Sequence, residues 1–134
     1  MAKVFISYSS QDKDLVYPYT QALANYYHQI IMDDSILTGG ENMQKALMDA
    51  LRNADGTVVF ITKNSIHSKN VLSEIGIARS YLDNEINKKF LIPIVESNIE
   101  VPYIIQELHY LILDEVRVDK TVEQIDDAIK VFRK

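Results

Sequence analysis

The chain has 134 residues, of which 47% are hydrophobic and 25% charged, a composition that suits a folded core and excludes disordered and fibrous classes. With 19 acidic and 14 basic residues its formal charge is -5, which disfavours a nucleic-acid-coating surface, since phosphate binding needs clustered Lys and Arg. Cysteine is absent, so disulfide frameworks and thiolate zinc sites are excluded, and no apolar run approaches the roughly 20 residues that span a bilayer. The start, MAKVFISYSS, lacks signal-peptide organisation, and the expectation is one cytoplasmic domain over residues 1–134 with no membrane or nucleic-acid partner.

The first strand is read as KVFISY, residues 3–8, ending where hydroxyls and acids take over. Ser9 and Asp12 have the spacing of a capping box, and Asp14 is an equally good N-cap; Pro18 favours the later start, because from an Asp14 cap it falls at the fourth helical position. The helix then runs to about His28, with Leu15, Tyr19, Ala22, Leu23 and Tyr26 on its apolar stripe. The tyrosines of this helix supply packing area rather than a cofactor box. A second strand, QIIMD, ends at Asp33-Asp34, and the Gly39-Gly40 pair breaks regular structure before a helix capped by Asn42, on which Met43, Ala46, Leu47, Ala50 and Leu51 recur at helical spacing.

TVVFIT, residues 57–62, is a near-continuous β-branched and aromatic run of the kind buried on both faces in a central parallel strand. The hydroxyl-rich connector TKNSIHSKN leads to a third helix, capped by Ser68 or Asn70, with Val71, Leu72, Ile75, Ala78 and Leu82 toward the core and Glu74 beside that stripe. FLIPIV, residues 90–95, is a fourth strand; Pro93 cannot donate to a ladder, so the strand belongs near an edge or at a bulge. A loop with Pro102 leads to a fifth strand, HYLILD, and Val122, Ile125, Ile129 and Phe132 mark a final helix. Strands and helices alternate throughout, five of the first and four or five of the second, which indicates βαβ units and a parallel sheet.

Such sheets bind ligands beyond the carboxyl ends of their strands. VFISYSSQD, MDDSILTGGEN and TKNSIHSKN all leave strands at that edge, which makes them the candidate site. The usual phosphate cradles are missing, since neither G-x-x-x-x-G-K-[ST] nor G-x-G-x-x-G occurs. His28, His67 and His109 are far apart without metal-pair spacing, so no metal is expected. Phosphoacceptor receivers need acids where Tyr8-Ser9 and Thr62-Lys63 stand, and flavodoxins need a Gly in the first loop, which SYSSQD lacks.

The segments VFISYSSQDKDLV, MDDSILTGGENMQKALMDALRNADGTVVFITKNSIHS, LSEIGIARSYL and LIPIV, in this order and at these spacings, resemble a bacterial TIR domain (Toll/interleukin-1 receptor type) over essentially the whole chain. The resemblance implies a flavodoxin-like α/β domain with a five-stranded parallel sheet, order 2-1-3-4-5, and helices on both faces. It also implies one of two functions. Many TIR domains cleave NAD at the nicotinamide–ribose bond, often in bacterial anti-phage immunity, and others are non-catalytic adaptors or virulence-type modules that act by homotypic TIR–TIR contacts.

Glu74 matches the glutamate that the enzymes require. By position alone, a Glu in the first turns of a helix is a solvated residue that suits the positive dipole end. The resemblance makes it catalytic. It also matches Tyr8, Ser9, Asp34, Leu37, Gly39, Ser68 and Asn70 to positions that line the family's pocket or its gate. Asn70 stands where many active members carry Trp. NAD would be a substrate and no cofactor is implied; the partners implied are other TIR copies and a downstream effector that senses the product.

Overall fold

The computed structural model describes residues 1–32, 43–84 and 86–133. Five strands, β1 (Lys3–Ser7), β2 (Gln29–Met32), β3 (Gly56–Ile61), β4 (Phe90–Val95) and β5 (Leu111–Ile112), alternate with four α-helices among the described residues, α1 (Lys13–Ala24), α2 (Met43–Asn53), α3 (Lys69–Leu82) and α4 (Val118–Phe132). Every strand pair is parallel, in the order β2-β1-β3-β4-β5. This is the flavodoxin-like α/β arrangement expected, and it places the topological switch point between β1 and β3.

Side-chain alternation along the strands builds two cores. Val4, Ile6, Val58, Phe60, Phe90, Ile92 and Ile94 face α1 and α4, where they meet Val16, Tyr19, Leu23, Val122, Ile125 and Ile129. On the opposite face, Val59, Ile61, Leu91 and Val95 pack on Val71, Ile75 and Ala78 of α3, and Phe5 packs on Ala50 and Leu51 of α2. All six residues of β3 are buried, as its apolar run predicts, because both its neighbours and both its faces are covered.

Pro93 sits inside a strand that is second from the edge. The Glu96 N–H donates to the Ile61 carbonyl at 2.9 Å and the Leu113 N–H to the Val95 carbonyl at 2.8 Å, so even residues of β4 bond toward β3 and odd ones toward β5. Pro93 therefore faces the β5 side, and pairing with β5 starts only at Ile94↔Leu111. The missing donor falls where the ladder has not begun, and no bulge is needed. The expected strand HYLILD shrinks to Leu111–Ile112: in this register His109 and Tyr110 fall opposite Ile92 and Pro93, where the ladder lacks a donor, and Asp114 lies past the end of β4 at Val95.

The first helix departs from expectation at both ends. It starts at Lys13 with Asp12 as N-cap, preceded by a 3-10 turn over Ser10–Asp12, so Pro18 is its sixth residue and removes the bond to the Asp14 carbonyl. It ends at Ala24 rather than near His28, and Tyr27 turns the chain at a φ of 69°. No helix among the described residues is long and apolar enough to cross a membrane.

Candidate active site

Glu74 is the sixth residue of α3 and is 0% exposed. The expectation that it lies beside the helix's apolar stripe is corrected: Val71, Glu74, Ile75 and Ala78 form the buried face, and Leu72 is 41% exposed. The helix start is fixed by Ser68, whose hydroxyl accepts from the Val71 N–H at 3.3 Å and so caps the helix. Position 74 lies nearly two turns after the cap, three residues on from Val71 and four before Ala78, so it shares their buried face. A solvated glutamate is thereby excluded.

The partner of the carboxylate was not visible in the sequence. Ser7, the last residue of β1 and itself 0% exposed, donates its hydroxyl to Glu74 Oε1 at 2.6 Å. That length is typical of an O–H donor on a charged oxygen. Strand alternation sends Ser7 to the α3 face and Tyr8 to the other, where the Tyr8 ring lies in the core with Val16 and Phe60 and is 6% exposed. Ser7 and Glu74 are thus brought together on one face, with the Tyr8 ring packed on the other.

A second polar cluster ties the loops that follow β1 and β3. Asp12 is 6% exposed, and its carboxylate accepts from the Thr62 hydroxyl at 2.5 Å and from the Asn64 amide at 2.7 Å. The Thr62 hydroxyl also accepts the backbone N–H groups of Asn64 and Ser65, each at 3.2 Å, and the Ser65 hydroxyl accepts the Thr62 N–H at 2.7 Å. Ser9, which is 7% exposed, begins the same loop: its hydroxyl accepts from the Gln11 N–H at 3.3 Å and its carbonyl from the Asp12 N–H at 2.8 Å. Glu96, after β4, extends the series by accepting the Lys63 N–H at 3.2 Å. These bonds hold the carboxyl edge of β1, β3 and β4 as one rigid rim at the switch point.

Of the other residues singled out, Ser68 is half-buried and committed to its capping bond. Asn70 is the second residue of α3, and its side chain lies outside what is described. Asp34, Leu37 and Gly39 also lie outside the described residues. Ser7, Asp12 and Thr62 are site residues that the sequence motifs do not mark. Only Ser7 carried a signal, as a lone hydroxyl on the inward face of an otherwise apolar strand.

Chemically, the site offers a carboxylate shielded from water, bonded to a hydroxyl and mounted on rigid elements. Such a group stabilises positive charge far better than an exposed one, because the local dielectric is low and the geometry is already set.

The family model for the TIR domain matches residues 4–129. Among solved structures, the chain is similar to the TIR domain of the Toll-related receptor TRR-2 from Hydra magnipapillata, with a TM-score of 0.77, 21% identity and full coverage of both chains. It is also similar to the CMP N-glycosidase BcmB of Clostridium botulinum, with a TM-score of 0.67, 20% identity and coverage of 92% of this chain and 97% of that one. A third is the TIR domains of the activated Roq1 resistosome that recognises the pathogen effector XopQ, with a TM-score of 0.64, 22% identity and coverage of 99% and 78%. No curated protein matches the chain in sequence. The match over residues 4–129, on a parallel sheet of order β2-β1-β3-β4-β5, shows that the chain belongs to the TIR domain family.

Proposed function

We propose that this TIR domain is an NAD nucleosidase that cleaves the nicotinamide–ribose bond and releases nicotinamide together with ADP-ribose or a cyclic or conjugated form of it. The observation that carries this reading is the Glu74 carboxylate, fully buried beside the switch point and bonded to Ser7 at 2.6 Å. Burying a charge costs several kcal/mol, and chains keep such groups where function needs them. The CMP N-glycosidase supports the reading from the side of the fold, since the same architecture serves the cleavage of an N-glycosidic bond there.

In the proposed reaction the bond between C1′ and the nicotinamide nitrogen breaks and its electron pair leaves with nicotinamide. Oxidised nicotinamide carries a positive charge and departs neutral, so the general acid of ordinary glycosidases is unnecessary. The ribose is left as an oxocarbenium ion, which Glu74 stabilises more than it stabilises the ground state. Water adds at C1′ and loses a proton to give ADP-ribose, whereas an internal nucleophile gives a cyclic isomer. The carboxylate is shielded in the conformation described, so the covering residues must part when NAD enters.

In a cell, the product would act as an immune signal sensed by a downstream effector, with TIR–TIR assembly as the trigger. The test is to incubate the purified protein and its Glu74→Ala variant with NAD at low and high protein concentration and to measure nicotinamide. Release that depends on Glu74 and rises with concentration is expected. No release in any condition would sink the enzyme reading and leave a homotypic adaptor; release that survives the substitution would sink the site.

A further inference from the structure

We propose that Ser7 is the positioning residue for Glu74, holding its carboxylate in one orientation and in its charged form; as a contribution to catalysis this rests on the reading of Glu74 given above. The remainder of β1 explains why a hydroxyl at this place is unusual. Val4, Phe5 and Ile6 are buried and apolar, and Ser7 follows them at 0% exposure, on the same face as Phe5. A hydroxyl there is costly unless bonded, and its acceptor is Glu74 Oε1.

The donor is also rigid. Ser7 is held in the ladder opposite Val59 of the central strand, and the preceding Ile6 pairs with both Val58 and Met32. Glu74 approaches from 67 residues away on a helix whose start is fixed by Ser68. A strand-mounted O–H aimed at one carboxylate oxygen removes the rotational freedom that a glutamate side chain otherwise keeps. It also favours the ionised form, because a donated hydrogen bond is stronger to a carboxylate than to a carboxylic acid. The other carboxylates of the rim bond to their own loops, Asp12 to Thr62 and Asn64, and Glu96 to the Lys63 amide. Arg79, further along α3, is directed to Asp83 and Glu107 at 3.4 and 3.7 Å.

The experiment is a titration of the Glu74 side-chain carboxyl by carbon NMR in glutamate-labelled protein, with Glu74→Gln identifying the resonance. Wild type, Ser7→Ala, Ser7→Cys and Ser7→Thr are compared, and kcat and KM for NAD cleavage are measured across pH. In Ser7→Ala the midpoint should rise by about one to two pH units, since a bond to a charged group is lost. The kcat at neutral pH should fall roughly 10- to 100-fold with KM little changed, and its acid limb should move with the NMR midpoint. Ser7→Thr should restore both, and Ser7→Cys, a weaker donor, should lie between and serves if Ser7→Ala does not fold. A midpoint unmoved in a folded Ser7→Ala or Ser7→Cys variant overturns the proposal, even if NAD is cleaved. A moved midpoint in a protein that cleaves no NAD overturns the NAD reading instead and leaves the hold of Ser7 on the carboxylate standing.

Discussion

Asp12 and Thr62 are joined by a 2.5 Å hydrogen bond between the loops that follow β1 and β3, and the Thr62 hydroxyl that donates it also accepts two backbone N–H groups. One buried hydroxyl thus satisfies a charged oxygen and two amides at once. Thr62→Val keeps the shape and strands all three partners, so it should cost about 2–3 kcal/mol. Urea unfolding with an unchanged slope and an earlier midpoint would show this, and Thr62→Ser should recover most of the loss. If the midpoint of Thr62→Val matches wild type, the rim is not held by this cluster.

Gly56 opens β3 opposite Phe90 of β4, and a Cβ at this position would overlap the Phe90 ring. The ring cannot withdraw, because it is 2% exposed and lies edge-to-face with Phe132 at 5.8 Å. Gly56→Ala should therefore destabilise the fold by about 1–3 kcal/mol, the usual cost of overpacking. Phe90→Leu, destabilising alone, should make the added methyl less harmful, and a double-mutant cycle of thermal melts reads this coupling. Additive effects would show that the ring is not the obstacle.

These two contacts mark where the sequence was readable and where it was not. The order of elements, the buried centre at TVVFIT and the placement of Pro93 near an edge follow from local composition, because burial on two faces and a missing N–H act on a strand wherever it lies. Glu74 was legible as a residue but not as an environment. Its burial depends on how α3 rolls against the sheet, with the Glu74 side of the Val71, Ile75 and Ala78 stripe turned inward and the Leu72 side outward, which periodicity alone does not resolve. Asp12 and Thr62 were not legible, and Ser7 was legible only as an inward hydroxyl without its acceptor, since each acts through a partner between 50 and 67 residues away. Composition reports what a residue can do, and only the register of β1 against β3 decides whom it meets.

At the opposite edge of the sheet, His28 Nδ1 accepts the Ala2 N–H at 3.1 Å, which leaves its Nε2–H to donate to Asp126 at 2.7 Å. Burial pushes the Asp126 carboxyl up, but the bonds from His28 and Lys130 outweigh it and hold the group below its ordinary value of 3.8. A depressed native value means that Asp126 contributes stability above pH 3.8 and loses it as pH falls through that lower native value. Asp126→Asn should cost roughly 1–2 kcal/mol at pH 7, with the gap to wild type narrowing below about pH 4. Urea melts across this range measure it, and a gap that stays constant down to pH 3 would assign the loss to packing.

Glu74→Gln separates a functional carboxylate from a structural one. The amide keeps an oxygen that can accept from Ser7, and it removes a charge from a site that is 0% exposed. Neutralising a buried carboxylate while keeping its shape and its acceptor oxygen removes the desolvation cost of the charge. A residue kept for chemistry should therefore give a variant that melts at or above wild type while its nicotinamide release falls by about 100-fold or more. A residue kept for structure should do the reverse and lower the melting temperature with no specific loss of rate per folded molecule. Measuring both quantities on the same preparation decides the matter, since only the catalytic role predicts that stability and activity move in opposite directions.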